Sequence, residues 1–233
     1  LGEITYKESQ STIRPFKRFK IKVRDEIVTL GEPSLVPTGS EPKLCPKEWL
    51  NALENKEKGK EDFYLIDVRN WYETEVGKFK GAIDPLTRTF SQFKDFVNSS
   101  IFKDKTKPVL MYCTGGIRCE KAYLYLKKQG FKEVWQLEGG ILNYFKECNG
   151  KYFQGECFVF DHRVALNPSL NPSSVFKLCP HCGDPAQTAI VCKVCSKTAV
   201  ICESCYLKLK HPLCSKNCAN KLNHNFANLK KAS

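Results

Sequence analysis

The 233-residue chain has no run of about 18 apolar residues, the minimum for a helix that crosses a bilayer, so a helical membrane span within it is excluded. Its start, LGEITYKESQ, has neither a basic segment nor an apolar stretch and does not read as a secretory signal. The expectation is a soluble chain of the cytoplasm, with the nucleus as an alternative and no membrane partner. Methionine is nearly missing. The one present, Met111, sits in an apolar run, and a chain that opens on Leu1 is expected to be a fragment or a processed product. No flavin, haem or non-haem-iron motif occurs, so no organic cofactor is expected, and no internal repeat occurs beyond paired cysteines.

Cysteine, by contrast, is abundant. Thirteen are present, an odd number, and most stand in close pairs; without a signal peptide this favours reduced thiols and metal over a disulfide framework. The pairs are Cys179/Cys182, Cys192/Cys195, Cys202/Cys205 and Cys214/Cys218. Eight thiolates are two complete tetrahedral sets, so two structural zinc ions are expected, without an open coordination position. Joining the first pair to the third leaves 19 intervening residues, and the second to the fourth leaves 18, both within the usual spacing of two-pair zinc sites. Interleaved pairing is therefore favoured, with sequential pairing as the alternative and His181 and His211 as substitute ligands.

The formal charge is +12. Eight thiolates around two dications would remove four charges and leave about +8, still enough to attract a polyanion such as RNA. Lys193, Lys197, Lys208, Lys210, Lys216 and Lys221 can face phosphates or simply solvent.

Along the chain, Phe19, Ile21 and Val23 alternate with basic residues, followed by Ile27 and Val28, as in a half-buried strand. One strand cannot fold alone, so residues 1–31 read as the end of an upstream domain. Residues 32–44, rich in Pro, Gly and Ser, read as a linker. From Cys45 a helix and strand rhythm begins. PKEWLNALE is a helix with Pro46 at its first position, FYLIDV and PVLMYC are buried strands, TFSQFKDFV spaces Phe90, Phe93 and Val97 helically, CEKAYLYLKKQGF is a helix closed by Gly130, and EVWQLEGG is a third strand. Parallel strands need helical crossovers, so the fold class is α/β, a parallel sheet with helices on both faces over residues 45–148. Phe93, Trp135 and Tyr144 are assigned to its core. Residues 149–178 read as a strand pair, GKYFQGECFVFDHRVAL, and a linker, NPSLNPSS; residues 179–224 form the two-zinc module.

MYCTGGIRCEKA places Cys113 where a buried strand meets a helix, the position at which open α/β sheets build ligand sites. Thr114, Gly115, Gly116 and Ile117 can curl so that their amides face inward as an anion bowl. The helix N-terminus and Arg118 add positive charge, which stabilises a Cys113 thiolate. Cysteine-dependent phosphatases set Cys and Arg one residue further apart than the four that intervene here, so this bowl suits a persulfide sulfur or a small oxyanion better than a phosphate ester. An inert buried cysteine before a tight turn is the other reading. Cys119, one turn further on, can resolve an oxidised Cys113 as a disulfide or serve as a small packing residue. Glu120 and Lys121 read as a solvated helix face.

These residues resemble a known family. LIDVRNWYETEVGKFKGAI, the loop and LEGGI look like a rhodanese domain, with Asp67 and Arg69 as supporting residues at the end of the first strand, Gly81 and Gly139–Gly140 in its turns, and Lys78 where a histidine is usual. More narrowly, EIVTLG, GAIDPLTRTF, CTGGIRCEKA, GECFVFDHRVAL and the four cysteine pairs resemble the rhodanese-like tRNA uridine hydroxylase family; in FDHR, His162 stands where an acidic residue is more usual. The resemblance implies an upstream α/β domain ending in residues 16–31, tRNA as partner, and oxygen-dependent conversion of the wobble uridine to 5-hydroxyuridine with Cys113 essential. Two alternatives stand beside it: a general sulfurtransferase that loads a Cys113 persulfide from a small sulfur donor, and a silent module that binds RNA or protein. Oligomeric state is not legible.

Overall fold

A computed structural model describes residues 11, 13–18, 20–209 and 211–229. Four short strands form one parallel sheet in the order β1 (Lys43–Leu44), β5 (Val134–Leu137), β4 (Val109–Tyr112), β2 (Tyr64–Asp67). Alternation along β4 sorts the core by face. Val109 and Met111 pack with α3 (Phe93–Val97) and α4 (Ile117–Lys128), whereas Leu110 and Tyr112 pack with α1 (Pro46–Glu57) and α5 (Gly140–Cys148). Helices thus cover both faces, as expected of a parallel sheet. Each large apolar side chain so buried, such as Phe93 or Leu126, contributes roughly 1.5–3 kcal/mol.

Local signals set the helix ends. Pro46 opens α1, where the Glu48 carboxylate accepts the Cys45 amide at 2.8 Å. Gly130, at φ +90°, closes α4, and the Phe131 amide returns to the Leu126 carbonyl at 3.1 Å. Phe93 and Tyr144 lie in the core, but Trp135 is 37% exposed. It stands with Glu48 of α1, Glu61 and Asp62 around an open cleft.

The N-terminal segment departs from expectation. Residues 20–31 contain no strand, and Val23 is 99% exposed; a strand needs a neighbour to satisfy its amides and carbonyls, and none lies beside this segment among the described residues. Phe19 lies outside the described residues. Leu30, at the end of that segment, is fully buried, and the following stretch that reads as a linker is docked too, with Leu35 packed on the same core. Lys121, read as solvated, is buried beneath it, paired with Glu26 at 2.8 Å and donating to the carbonyls of Glu32 and Leu35. Lys43 pairs with Glu120 at 3.3 Å.

After α5 the expected strand pair is split between two partners. β6 (Phe153–Gly155) joins β3 (Gly77–Phe79), and β7 (Cys157–Phe158) pairs with β8 (Ala165–Leu166), all antiparallel. The Pro/Asn segment folds back, with the Ser173 amide on the Ala165 carbonyl at 2.8 Å. Two hairpins follow, β9 (Lys177–Leu178) with β10 (Pro185–Ala186) and β11 (Thr188–Val191) with β12 (Thr198–Ile201), then α6 (Glu203–Lys208) and α7 (Lys216–Leu229). Among the described residues no helix is long and apolar enough to cross a membrane.

Candidate active site and metal centres

Cys113 ends β4 and is 1% exposed, so its sulfur lies at the floor of the loop. The Gly116 amide reaches Sγ at 3.1 Å, and the amides of Arg118 and Cys119 add to the stabilisation of its anion. Of the expected bowl residues Gly116 thus donates, and Arg118 and Cys119 join it. Thr114 turns its hydroxyl toward Glu73 at 3.5 Å, and the exposed Ile117 begins α4 at the rim. Gly116 adopts φ +95°, a backbone that only glycine takes freely, and this turns the loop into the helix.

The loop is held from behind by α5. The amides of Ile141 and Leu142 take the carbonyls of Cys113 and Thr114 at 3.0 and 3.2 Å. Gly140 makes this approach feasible, since a Cβ there would lie 2.5 Å from the Cys113 carbonyl oxygen. With its carbonyls engaged outward, the loop leaves amides for the sulfur.

The Cys113 thiol is drawn down from its ordinary 9.0 to about 6. A hydrogen bond from the Cys119 thiol does most, burial opposes it, and the Arg118 charge with the amides of Cys119 and Arg118 completes the effect. Cys119 moves the other way, pushed well up by burial and then by the neighbouring Cys113, so it keeps the proton it donates. At pH 7 Cys113 is then roughly nine-tenths thiolate. Cys119→Ala removes the main donor. Cys113 alkylation, followed by peptide mass spectrometry between about pH 5 and 9, should rise through about 6 in the native chain and at higher pH in the variant, with a severalfold slower rate at pH 7; coincident profiles would refute this role.

Arg118 does more than face the sulfur. Its guanidinium grips Glu73, on α2 (Trp71–Thr74), through two hydrogen bonds of 2.6 and 2.8 Å, both side chains being buried. Burial works against its proton, but those bonds and the Glu73 charge raise its pKa above the ordinary value. Asp67 and Arg69, fully buried, pair at 2.7 Å, and Arg69 donates to the carbonyls of Gly77 and Glu73 at 2.6 and 3.3 Å, which fixes the turn that carries Glu73. Lys78 lies 3.4 Å from Asp84, and His162 is exposed while Asp161 pairs with Arg163. Breaking the buried Glu73–Arg118 pair strands a charge, which costs about 3–5 kcal/mol. Glu73→Ala should thus lower the melting temperature by about 10 °C in a thermal scan, and an unchanged melt would contradict the assignment.

Glu73 escaped the sequence reading. Asn70-x-x-Glu73 is a helix-start signature, and Glu73 does accept the Asn70 amide at 3.2 Å, but nothing in the pattern points to Arg118.

The cysteine pairs come together as two sets, Cys179, Cys182, Cys202 and Cys205, and Cys192, Cys195, Cys214 and Cys218, with the ligand atoms of each within 4.8 Å of one another. This is the interleaved pairing. The Cys182–Cys202 and Cys195–Cys214 sulfurs are 3.4 and 3.5 Å apart, close to the edge of a tetrahedron with metal–sulfur bonds of about 2.3 Å, so each set can hold a metal ion. Neither histidine joins them, and His181 lies 2.7 Å from the Leu213 carbonyl. Lys193, Lys197, Lys208, Lys216 and Lys221 are exposed, and Lys210 lies outside the described residues.

A family model described as rhodanese-like domain matches residues 47–147, and one described as rhodanase C-terminal matches residues 154–219. The chain is 48% identical over 220 residues to a tRNA uridine(34) hydroxylase of Bdellovibrio bacteriovorus, covering 93% of this chain and 61% of that one. It is 42% identical to a protein of the same name from Picosynechococcus, covering 88% and 68% of the two chains, and 41% identical to one from Synechocystis, covering 83% and 69%. The chain belongs to the tRNA uridine(34) hydroxylase family. The part of the family it represents thus contains the rhodanese-like sheet, the Cys113 loop and the cysteine-rich module, and it spans about three-fifths of the length of the Bdellovibrio relative.

Proposed function

We propose that this chain acts on the wobble uridine of tRNA, in the cytoplasm, as part of a 5-hydroxylating enzyme in which Cys113 is the nucleophile. The observation that carries the reading is a buried thiolate, ionised near pH 6, in a chain 42% identical to a tRNA uridine(34) hydroxylase of which it spans 68%. A thiolate so held is suited to add to the electron-poor C6 of uracil, which leaves the electron pair on C5, the carbon that becomes hydroxylated; once the C5–O bond has formed, loss of the C5 proton and expulsion of the Cys113 thiolate from C6 restore the ring double bond. Dioxygen supplies the oxygen atom; two electrons and two protons from an external reductant turn its other atom into water. Asp67, Arg69, Glu73 and Arg118 position the loop. In this reading residues 45–148 supply the chemistry, and residues 179–224, carrying a zinc ion in each four-cysteine set, hold structure beside it.

Nucleoside mass spectrometry of tRNA from cells with and without the gene tests the proposal: 5-hydroxyuridine should vanish from the wobble position in the deleted strain and return with the gene, and an unchanged profile rejects it. The smallness of the bowl favours a second reading, a general sulfurtransferase. A sulfur atom gained by Cys113 from thiosulfate, with tRNA nucleosides unaltered, would support that instead.

A further inference from the structure

A cleft of about 770 Å³ is lined by Tyr72, Phe158 and Phe160 among others, a size within the roughly 300–1,000 Å³ range of small-molecule sites. One wall is aromatic. Tyr72 meets Phe158 edge to face at 5.6 Å between ring centres, and Phe158 meets Phe160 in the same way at 5.0 Å. Phe160 nevertheless remains 60% exposed, and the Arg118 guanidinium lies 5.8 Å from its ring centre. The same arginine therefore touches the aromatic wall on one side and the field of the Cys113 sulfur on the other.

The cleft also has a basic lining. The His162 amide donates to the Pro15 carbonyl at 3.1 Å, and Lys17, Arg18 and Lys20 line the same cleft. Two acidic residues also line it, Asp161 and Asp184, but Asp161 is engaged by Arg163 at 2.6 Å. A row of three cations thus shares a gap of ligand size with an exposed ring, and Cys182 of the first four-cysteine set also lines it. Bases of single-stranded RNA stack on such rings whatever their identity, while cations follow the phosphates. A protein partner would not need this pairing of an open π-face with a row of cations.

We propose that Phe160 is the stacking platform for a base of single-stranded RNA next to the reacting uridine, with Lys17, Arg18 and Lys20 on the adjoining phosphates. The proposal rests on the reading of tRNA as substrate and names the part of this chain that grasps it. Stacking here places the neighbouring nucleotide at the lip of the Cys113 bowl, with Arg118 between them. Phe160 is a positioning residue, since it touches the substrate away from the reacting carbon.

Binding of an anticodon stem-loop RNA to the full chain, read by fluorescence anisotropy at several salt concentrations, tests it. Phe160→Tyr and Phe160→Trp should bind within about twofold of the native chain, whereas Phe160→Leu and Phe160→Ala should bind about tenfold or more weakly. Packing alone would be restored by leucine; stacking is not. Replacing Lys17, Arg18 and Lys20 by Gln together should flatten the salt dependence by about two in log–log slope, near 0.7 for each phosphate no longer neutralised. Native-like binding by Phe160→Leu, failure of Tyr and Trp to restore binding, or no salt-dependent binding by the native chain, the outcome expected of a protein-binding cleft, would each overturn the proposal. The two readings fail separately. The expected binding pattern with unchanged tRNA nucleosides in the deleted strain sinks hydroxylation and keeps the stacking site, and the reverse result does the opposite.

Discussion

Cells in which Cys113→Ser replaces the native chain are expected to contain no wobble 5-hydroxyuridine above the level of the deleted strain. The substitution changes one atom, and every amide that points at Sγ has an oxygen to meet in its place, so the fold should persist and the thermal melt should move little. What disappears is the anion. The bowl brings a thiol from 9.0 to about 6, whereas the same environment acting on an aliphatic hydroxyl leaves it protonated at any physiological pH, and a neutral hydroxyl without an adjacent base is a poor nucleophile. Loss of a reacting nucleophile generally costs more than about a thousandfold in rate, which nucleoside mass spectrometry reads as absence. The native rate should rise with pH through about 6 and then level, because the reactive form is the deprotonated one. Full complementation by Cys113→Ser, together with loss of function in Cys202→Ser, would instead favour a silent binding module.

The residues that carry the reading were visible in one dimension to different degrees. The parallel sheet was legible because FYLIDV and PVLMYC are buried on both faces, and short, continuous apolar runs between helical repeats fit little else than central strands. The bowl was legible from two glycines and an arginine after a strand, and Gly116 among its expected donors does reach the sulfur; what was not legible is how α5 takes the loop carbonyls, which depends on Gly140, 27 positions beyond Cys113 in sequence. Cys119 was read as packing or resolving, and its thiol also helps to lower the Cys113 pKa.

Errors cluster where tertiary contact overrides local pattern. Lys121 follows Glu120 on a helix that looks solvated, yet residues 26–35 lie across it and bury its ammonium against Glu26 and two carbonyls. The strap itself looked like a linker because Pro, Gly and Ser record only the lack of regular structure, not whether a segment is docked. Trp135 occupies a core-type position in its strand but remains 37% exposed at a cleft that it shares with α1. Cysteine spacing, on the other hand, carried nearly the whole of the tail, since loop length limits which pairs can share a centre.

Metal removal should have the largest effect on folding. The fully buried apolar groups around the first set are few, Ala186, Ile190 and Ile201 beside Cys179 and Cys202, and around the second Leu213 stands with Cys192 and Cys218. The cysteines themselves make up much of these cores, so the module depends on its metal centres; a bound structural zinc contributes about 10–16 kcal/mol. Treatment with a strong chelator under reducing conditions is therefore expected to release two zinc ions per chain and to make the region from Cys179 to Cys218 sensitive to protease. The sheet, whose two cores contain none of these eight cysteines, should resist. Interleaving adds a sharper expectation. Cys192 and Cys195 lie in the loop that joins Cys182 to Cys202, and Cys202 and Cys205 lie in the loop that joins Cys195 to Cys214, so each centre closes the chain around half of the other. Cys202→Ser should consequently lower bound zinc, measured by elemental analysis of the purified protein, from two toward none instead of toward one, and Cys214→Ser should do the same. A variant that keeps one full equivalent with a protease-resistant tail would show that the two centres fold independently.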